Sequence, residues 1–188
     1  MNLRLFALPI LFLFFSVQLN AQTKYLEQAV LAAPESLRAE ATIYGFDDQG
    51  DFKVFKEGTN HLICLGDDPT KDGFSVAAYH KDLEPFMARG RELKAEGKSF
   101  KEIFDIREEE VKSKMLAMPD KSTLMVANGT FDTDSSILDF NVRYVFYIPF
   151  ATSESTGLPA APMNPGGAWI MNPGTHRAHI MITPPSKD

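Results

Sequence analysis

The stretch Asn141–Phe150 constrains this chain more than any other. In an extended backbone successive side chains point to opposite faces. Val142, Tyr144, Phe146 and Ile148 then share one face, and Arg143, Val145 and Tyr147 share the other. Aromatic and branched residues suit a pleated, buried surface. Their presence on both sides predicts a central strand covered, at least in part, on both faces. Such a strand needs neighbouring strands and covering layers, and the rest of the chain has to supply them.

Candidate strands lie on both sides of it in sequence. Thr42, Tyr44 and Phe46 alternate with Ala41, Ile43 and Gly45. The turn formers Asp47-Asp48-Gln49-Gly50-Asp51 follow, and Phe52–Phe55 returns as the second arm of a hairpin. His61–Leu65 is a short apolar run between turn formers, which reads as a buried strand extending the hairpin into a meander. Further on, Thr123–Ala127 is extended, Asn128-Gly129 reads as a turn and Asp132–Ser136 as a polar loop. Ala168–Asn172, a wide Pro173-Gly174 loop and Ala178–Ile182 close the chain. Residues 152–167 form a loop rich in proline, glycine and serine, and loops of that length often carry function.

Helical periodicity occupies the middle. Leu83, Phe86, Met87 and Leu93 fall on one face, with Asp82 as cap, Pro85 in the tolerant first turn and Gly97 just past the end. Ser99-Phe100-Lys101-Glu102 is a capping box. It opens a second helix with the stripe Phe100, Ile103, Phe104, Val111, Met115 and Met118, stopped by Pro119. Glu108–Lys112 and Glu110–Lys114 are spaced as pairs on its wet side, and Arg107–Lys114 reads as a solvated face. The short link between the two helices predicts an antiparallel hairpin. A shorter helix, capped by Thr23 and carrying Tyr25, Leu26, Ala29, Val30 and Ala33 on one stripe, precedes Pro34. Strand runs separated by helices predict an α+β fold: one domain, a mostly antiparallel sheet, and an α-helical hairpin packed on one face.

The N-terminus has the pattern of a secretory leader. Arg4 precedes an apolar run from Leu5 to Val17, and Leu19-Asn20-Ala21 ends in a small residue before Gln22. The run is shorter than the ~20 residues of a spanning helix and contains Pro9. Residues 1–21 are therefore assigned as a signal peptide and 22–188 as the domain, exported to the periplasm or beyond. No later stretch is long and apolar enough for an integral membrane segment. The formal net charge of −6 becomes more acidic when Arg4 is removed, which disfavours nucleic acid as a partner. A single cysteine excludes an internal disulfide.

Two motifs bracket most of the domain. The first is Glu57-Gly58-Thr59-Asn60, then Cys64, then Asp67-Asp68-Pro69. The second runs from Trp169 through Pro173-Gly174-Thr175 to Ala178-His179. Together they resemble a family of small exported bacterial proteins that is itself uncharacterised. The resemblance implies export and brings no catalytic role with it.

Chemistry-bearing groups are few. On a regular strand His61 and Cys64 point to opposite faces, so they cannot pair as base and nucleophile, and Cys64 reads as a small buried hydrophobe. His176 and His179 could meet at a metal only if His176 bends back out of its turn. Otherwise His179 is bonded within the sheet and His176 is exposed. Asp67 and Asp68 could serve as acid and base, but before a proline they read first as turn residues. No metal-binding, nucleophile-elbow, phosphate-loop or dinucleotide motif is present, so no metal or other cofactor is assigned. Trp169, Met163 and Met171, beside the proline-rich loop, could line an apolar pocket. The expectation is a module that binds a small molecule or a partner, with Asp67, Asp68, Trp169, His176 and His179 as candidate ligand-binding residues. The competing expectation is a secreted, metal-assisted hydrolase using His176, His179 and Asp67 or Asp68. A site shared by the aspartates and histidines, and with it the hydrolase reading, needs the Gly66–Pro69 and Asn172–His176 turns at the same end of the sheet; the alternative is two unrelated surface turns at opposite ends.

Overall fold

The computed structural model describes residues 21–134 and 136–185. The proposed leader therefore lies outside the described residues, apart from Ala21. Residues 21–29 are helical (α1), so Thr23 sits inside the helix and does not cap it. Pro34 starts the single turn α2 (Glu35–Arg38). Among the described residues eight strands form one sheet. They are β1 (Thr42–Phe46), β2 (Phe52–Lys56), β3 (Leu62–Leu65), β4 (Phe74–His80), β5 (Ser122–Phe131), β6 (Ile137–Tyr147), β7 (Trp169–Met171) and β8 (His179–Ile182). A 3-10 turn (Lys81–Leu83), α3 (Glu84–Ala95) and α4 (Phe100–Lys112) separate β4 from β5, and a short α5 (Ser153–Thr156) follows β6. The strand order is β2-β1-β3-β4-β5-β6-β8-β7. Every pairing is antiparallel except β1 with β3.

That parallel pair corrects the expected meander. The chain leaves β2 on one side of β1 and enters β3 on the other, crossing the start of β1 through Glu57–Asn60. The backbone N–H groups of Thr59 and Asn60 both donate to the Glu40 carbonyl, at 2.9 and 3.0 Å. Gly58 N–H donates to Thr42 Oγ1 at 3.0 Å. Asn60 is tied at both ends of its amide: Nδ2 donates to the Leu37 carbonyl at 2.7 Å, and Oδ1 accepts from Leu62 N–H at 2.8 Å. The first of the two motifs is thus a crossover clamp.

The whole of β4 escaped the sequence reading. Ala77 and Ala78 weaken its β signal, yet Phe74, Val76, Ala78 and Tyr79 are all buried. Asn128-Gly129 is not a turn. β5 runs through it with a register shift between Asn128 and Thr130, and β5 and β6 stay paired out to Phe131 and Ile137. A Cβ on Gly129 would sit 2.6 Å from Ile137 Cγ2, so a glycine lets the two strands approach there.

The second helix of the hairpin begins, and the first ends, where expected, but α4 ends earlier. Ser99 and Glu102 form the capping box, Gly97 has a φ of 79°, and Pro85 lies in the first turn of α3. The cap ahead of α3 is His80, whose Nδ1 accepts from Asp82 N–H at 3.2 Å, not Asp82 itself. α4 stops at Lys112, well before Pro119, with Lys114 at a φ of 61°. Phe100 and Met115, assigned to its apolar stripe, are 73% and 77% exposed, whereas Arg107 is buried. Glu110 does not pair with Lys114. Arg89 Nε and Nη2 reach it from α3 at 3.0 and 2.8 Å, joining the two helices. No helix among the described residues is long and apolar enough to cross a membrane.

Two apolar clusters make the core. Ala29, Ala32 and Ala33 pack with Ile43, Cys64, Val76, Ala78, Met125 and Ala127. Leu83 and Phe86 pack with Ile63, Tyr79, Leu124, Val145, Tyr147 and Met181. Alternation along β6 places Val145 and Tyr147 in the second cluster and Val142 beside the first. Cover on the first side ends before Tyr144 and Phe146, which are 39% and 37% exposed. The central strand is therefore covered on both faces only in part.

Candidate functional site

The predicted site residues fall into three separate places. Asp67 and Asp68 build the β3–β4 connection. Asp67 Oδ1 accepts from Ser75 N–H at 2.8 Å, and burial raises its pKa. Asp68 pairs with Lys71 at 2.6 Å and accepts from Thr70 N–H and Oγ1–H at 3.1 and 2.7 Å. Lys71 and Thr70 hold its carboxyl down to about 2. Both carboxylates are occupied by the turn itself.

His176 is fully buried, which overturns its expected place in an exposed loop. Its ring packs edge-on against Phe86 and Phe104, with centroids 5.5 and 4.8 Å away. Glu108 Oε2 takes both its backbone N–H, at 2.8 Å, and Nδ1, at 2.5 Å. Burial tends to raise the Glu108 pKa, but Lys112 at 2.7 Å and the His176 donors outweigh that and hold it low. Burial, with Arg107 and Arg177 nearby, keeps the imidazole pKa low despite the carboxylate. A neutral ring donating from Nδ1 to ionised Glu108 satisfies both shifts. Nε2 is left buried without a partner among the described residues. His179 is also buried, its pKa lowered by burial, and its Nδ1 donates to the Arg177 carbonyl at 2.6 Å. Arg107 lies over the Phe86 ring at 4.1 Å and donates to the Phe86 carbonyl at 3.1 Å. Burial brings its pKa down to about 10. The supposed solvated face Arg107–Lys114 thus supplies Glu108, which ties α4 to the β7–β8 loop, and Arg107, which ties it to α3.

The strand register keeps the aspartates and histidines apart. Ser75, held by Asp67, pairs with Asn128, which pairs with Asn141. His179 pairs with Tyr147. The run from Asn141 to Tyr147, at about 3.3 Å per residue, puts roughly 20 Å between them along the strands, before the sideways distance from β4 to β8 is added. The two turns lie at opposite ends of the sheet. Among the described residues no group of three His, Cys, Asp or Glu side chains could hold a metal. The hydrolase reading has no assembled set of groups to act through.

Trp169 is in a third place, at a cavity of about 740 Å³. The register explains its floor. Val145 faces Met181, and Met181 faces Trp169, across β6, β8 and β7. Arg143 and Asn141 continue along β6 on that face, and Thr183 follows β8. The wall is residues 162–167, folded back by Gly167 N–H donating to the Asn164 carbonyl at 3.1 Å. Gly166, at a φ of 76°, lets this loop approach Pro185; a Cβ there would sit 3.2 Å from Pro185 Cδ. Asn141 Nδ2 secures the other side by donating to the Pro184 carbonyl at 2.9 Å. The expected pocket beside the proline-rich loop therefore exists, with Trp169 and Met163 among its lining residues. Met171 is not one of them.

Compared with protein-family models, with curated proteins and with solved structures, the chain matches none. The site must be judged on its own geometry. Arg143 was missed, although a charge inside the most apolar strand was a signal available in the sequence. Its Nε is buried without a partner among the described residues. A second cavity, of about 1000 Å³, lies beside Tyr25 and the Asp47–Gly50 turn. There Lys53 is already neutralised by Asp47 at 2.6 Å. Cys64 offers no nucleophile: it is fully buried, and burial pushes its pKa up to about 12.

Proposed function

We propose that this chain is an exported small-molecule-binding protein, with its ligand in the Trp169 cavity. The observation that carries the reading is the cavity itself. It has the volume of an ordinary ligand site and a lining that mixes apolar groups, Trp169, Met163 and Met181 among them, with the polar Asn141, Arg143, Asn164 and Thr183. The floor is strand and the wall a braced loop, so the site is largely pre-formed, which lowers the ordering cost of binding. In this reading the α3–α4 hairpin packs on one face of the sheet and stiffens the floor, through Leu83 and Phe86 against Val145 and Met181. The second motif, from Trp169 to His179, then supplies one wall residue and the strand beneath it.

Trp169 is the only tryptophan, so its emission reports on the cavity directly. The neutral probe 3-phenylpropanamide is expected to change that emission saturably, and Met181→Glu is expected to abolish the change. Emission left untouched both by this amide and by the corresponding carboxylate and phenyl phosphate would remove the cavity from consideration.

Export rests on the leader pattern and on the resemblance of the two motifs. The natively exported protein is expected to have an intact mass lacking Met1–Ala21, with Gln22 as its first residue. A mass that retains those residues would exclude cleavage and export by this route.

A further inference from the structure

We infer that the ligand is a monoanion, a carboxylate on a flat apolar body, with Arg143 as its counter-charge. This deepens the cavity reading and rests on it. Arg38, Arg89, Arg91 and Arg107 each donate to a carbonyl or carboxylate oxygen. Arg177 lies over the Phe100 ring at 5.3 Å. Arg143 has neither kind of partner among the described residues, and its Nε is buried. The guanidinium that lines the cavity thus has no acceptor or counter-charge within the described protein, and an anion in the cavity would supply one. The buried nitrogens of Arg107, Arg177 and His176 are orphaned as well, but those residues do not line this cavity.

The lining specifies the class further. Among the described residues Arg143 is the only charged one in the lining, beside Asn141, Asn164, Thr183 and an apolar remainder. One cation balances one negative charge. A phosphate monoester, carrying about 1.5–2 charges at neutral pH, would leave part of its charge without a counter-charge in this lining. The guanidinium fork is planar and matches the two oxygens of a carboxylate. Trp169 and Met181 offer a ring face and a polarizable thioether to the ligand body. Met163, 77% exposed at the rim, is free to fold over it.

The test compares 3-phenylpropanoate, its neutral amide and phenyl phosphate on the full mature chain, read by Trp169 emission and by calorimetry. The carboxylate is expected to bind at least about tenfold tighter than the amide, the increment of a charge-assisted contact. Phenyl phosphate is expected to bind more weakly than the carboxylate. Arg143→Gln should erase the carboxylate's advantage, weakening carboxylate binding about tenfold more than amide binding. Arg143→Lys, which keeps the charge without the fork, should fall between. If carboxylate and amide bind equally, or if Arg143→Gln weakens both alike, the anion assignment is overturned while the cavity reading stands. Phenyl phosphate binding as tightly as the carboxylate would overturn the monoanion class. If none of the three changes Trp169 emission, the cavity reading fails and takes the inference with it. Should Arg143→Gln not fold, Arg143→Lys and the three-probe comparison on the unaltered chain decide the matter alone.

Discussion

Glu108→Ala is expected to lower stability by roughly 3–5 kcal/mol, because it strands two buried donors of His176 at once. The backbone N–H and Nδ1 of His176 share the one oxygen of Glu108, and nothing else described reaches either. Lys112 would lose its partner too, but it is half-exposed and contributes little. Glu108→Gln retains an acceptor and should cost less than the alanine. The pH dependence follows from the same contact. Burial holds the folded pKa of His176 and of His179 below the usual value. Below about pH 6.5 the unfolded chain therefore takes up protons that the folded chain refuses, and stability falls as the pH drops. Glu108, whose folded pKa is also lowered, acts in the same direction at lower pH. Its stabilising contribution is present above its unfolded pKa and is lost as pH falls through the folded value. Urea unfolding at several pH values checks both statements. A midpoint indifferent to Glu108→Ala would show that the β7–β8 loop is held by its rings alone.

Gly58→Ala is the second large effect, at roughly 3 kcal/mol or more. A Cβ at this position would lie 2.3 Å from both the Ala41 carbonyl carbon and the Glu40 oxygen, and 2.4 Å from Thr42 N. All three are backbone atoms of the strand being crossed, so no rotamer change relieves the clash. Relief requires moving the crossover and with it the paired bonds to Glu40. Gly50→Ala is the matched control. Gly50 has a φ of 84° with nothing within 4 Å of the added carbon, so it should cost only the left-handed backbone penalty of about 1 kcal/mol. Equal losses for the two variants in denaturant unfolding would sink the crossover argument.

These two positions show where sequence reasoning reached and where it stopped. Gly58 stood out as part of a motif of turn formers, but a turn and a crossover use the same residues. Only the destination of the chain, the far side of β1, distinguishes them. Glu108 was assigned to a helix surface because charged residues at that spacing usually face water. What reversed it was a loop 68 residues further along the chain, whose approach no local pattern announces. β4 was hidden for a related reason. Ala77 and Ala78 are poor strand formers alone, and burial between β3 and β5 decides their state. The pocket was the most legible part of the site, since tryptophan and methionine beside a proline-rich loop are a local signal. Asp67 and Asp68 were equally legible as turn residues. Their grouping with the histidines failed because register alone decides which strand ends meet.

What the amino-acid order determined by itself was local and periodic. It set the capping box at Ser99, the tolerated Pro85, the stop at Gly97, the hairpin across Asp47–Asp51 and the alternation of the strand at Val142–Tyr147. These depend on backbone geometry within a few residues, which side-chain type controls directly. Tertiary structure decided the parallel entry of β3, the burial of Arg107 and His176, the bonding of Glu108 to His176, and the meeting of Arg143 with Trp169 at one cavity. Each of these joins segments far apart in the chain, and the free energy that fixes them comes from burial and from pairing polar groups out of water. Neither exists until the sheet has closed.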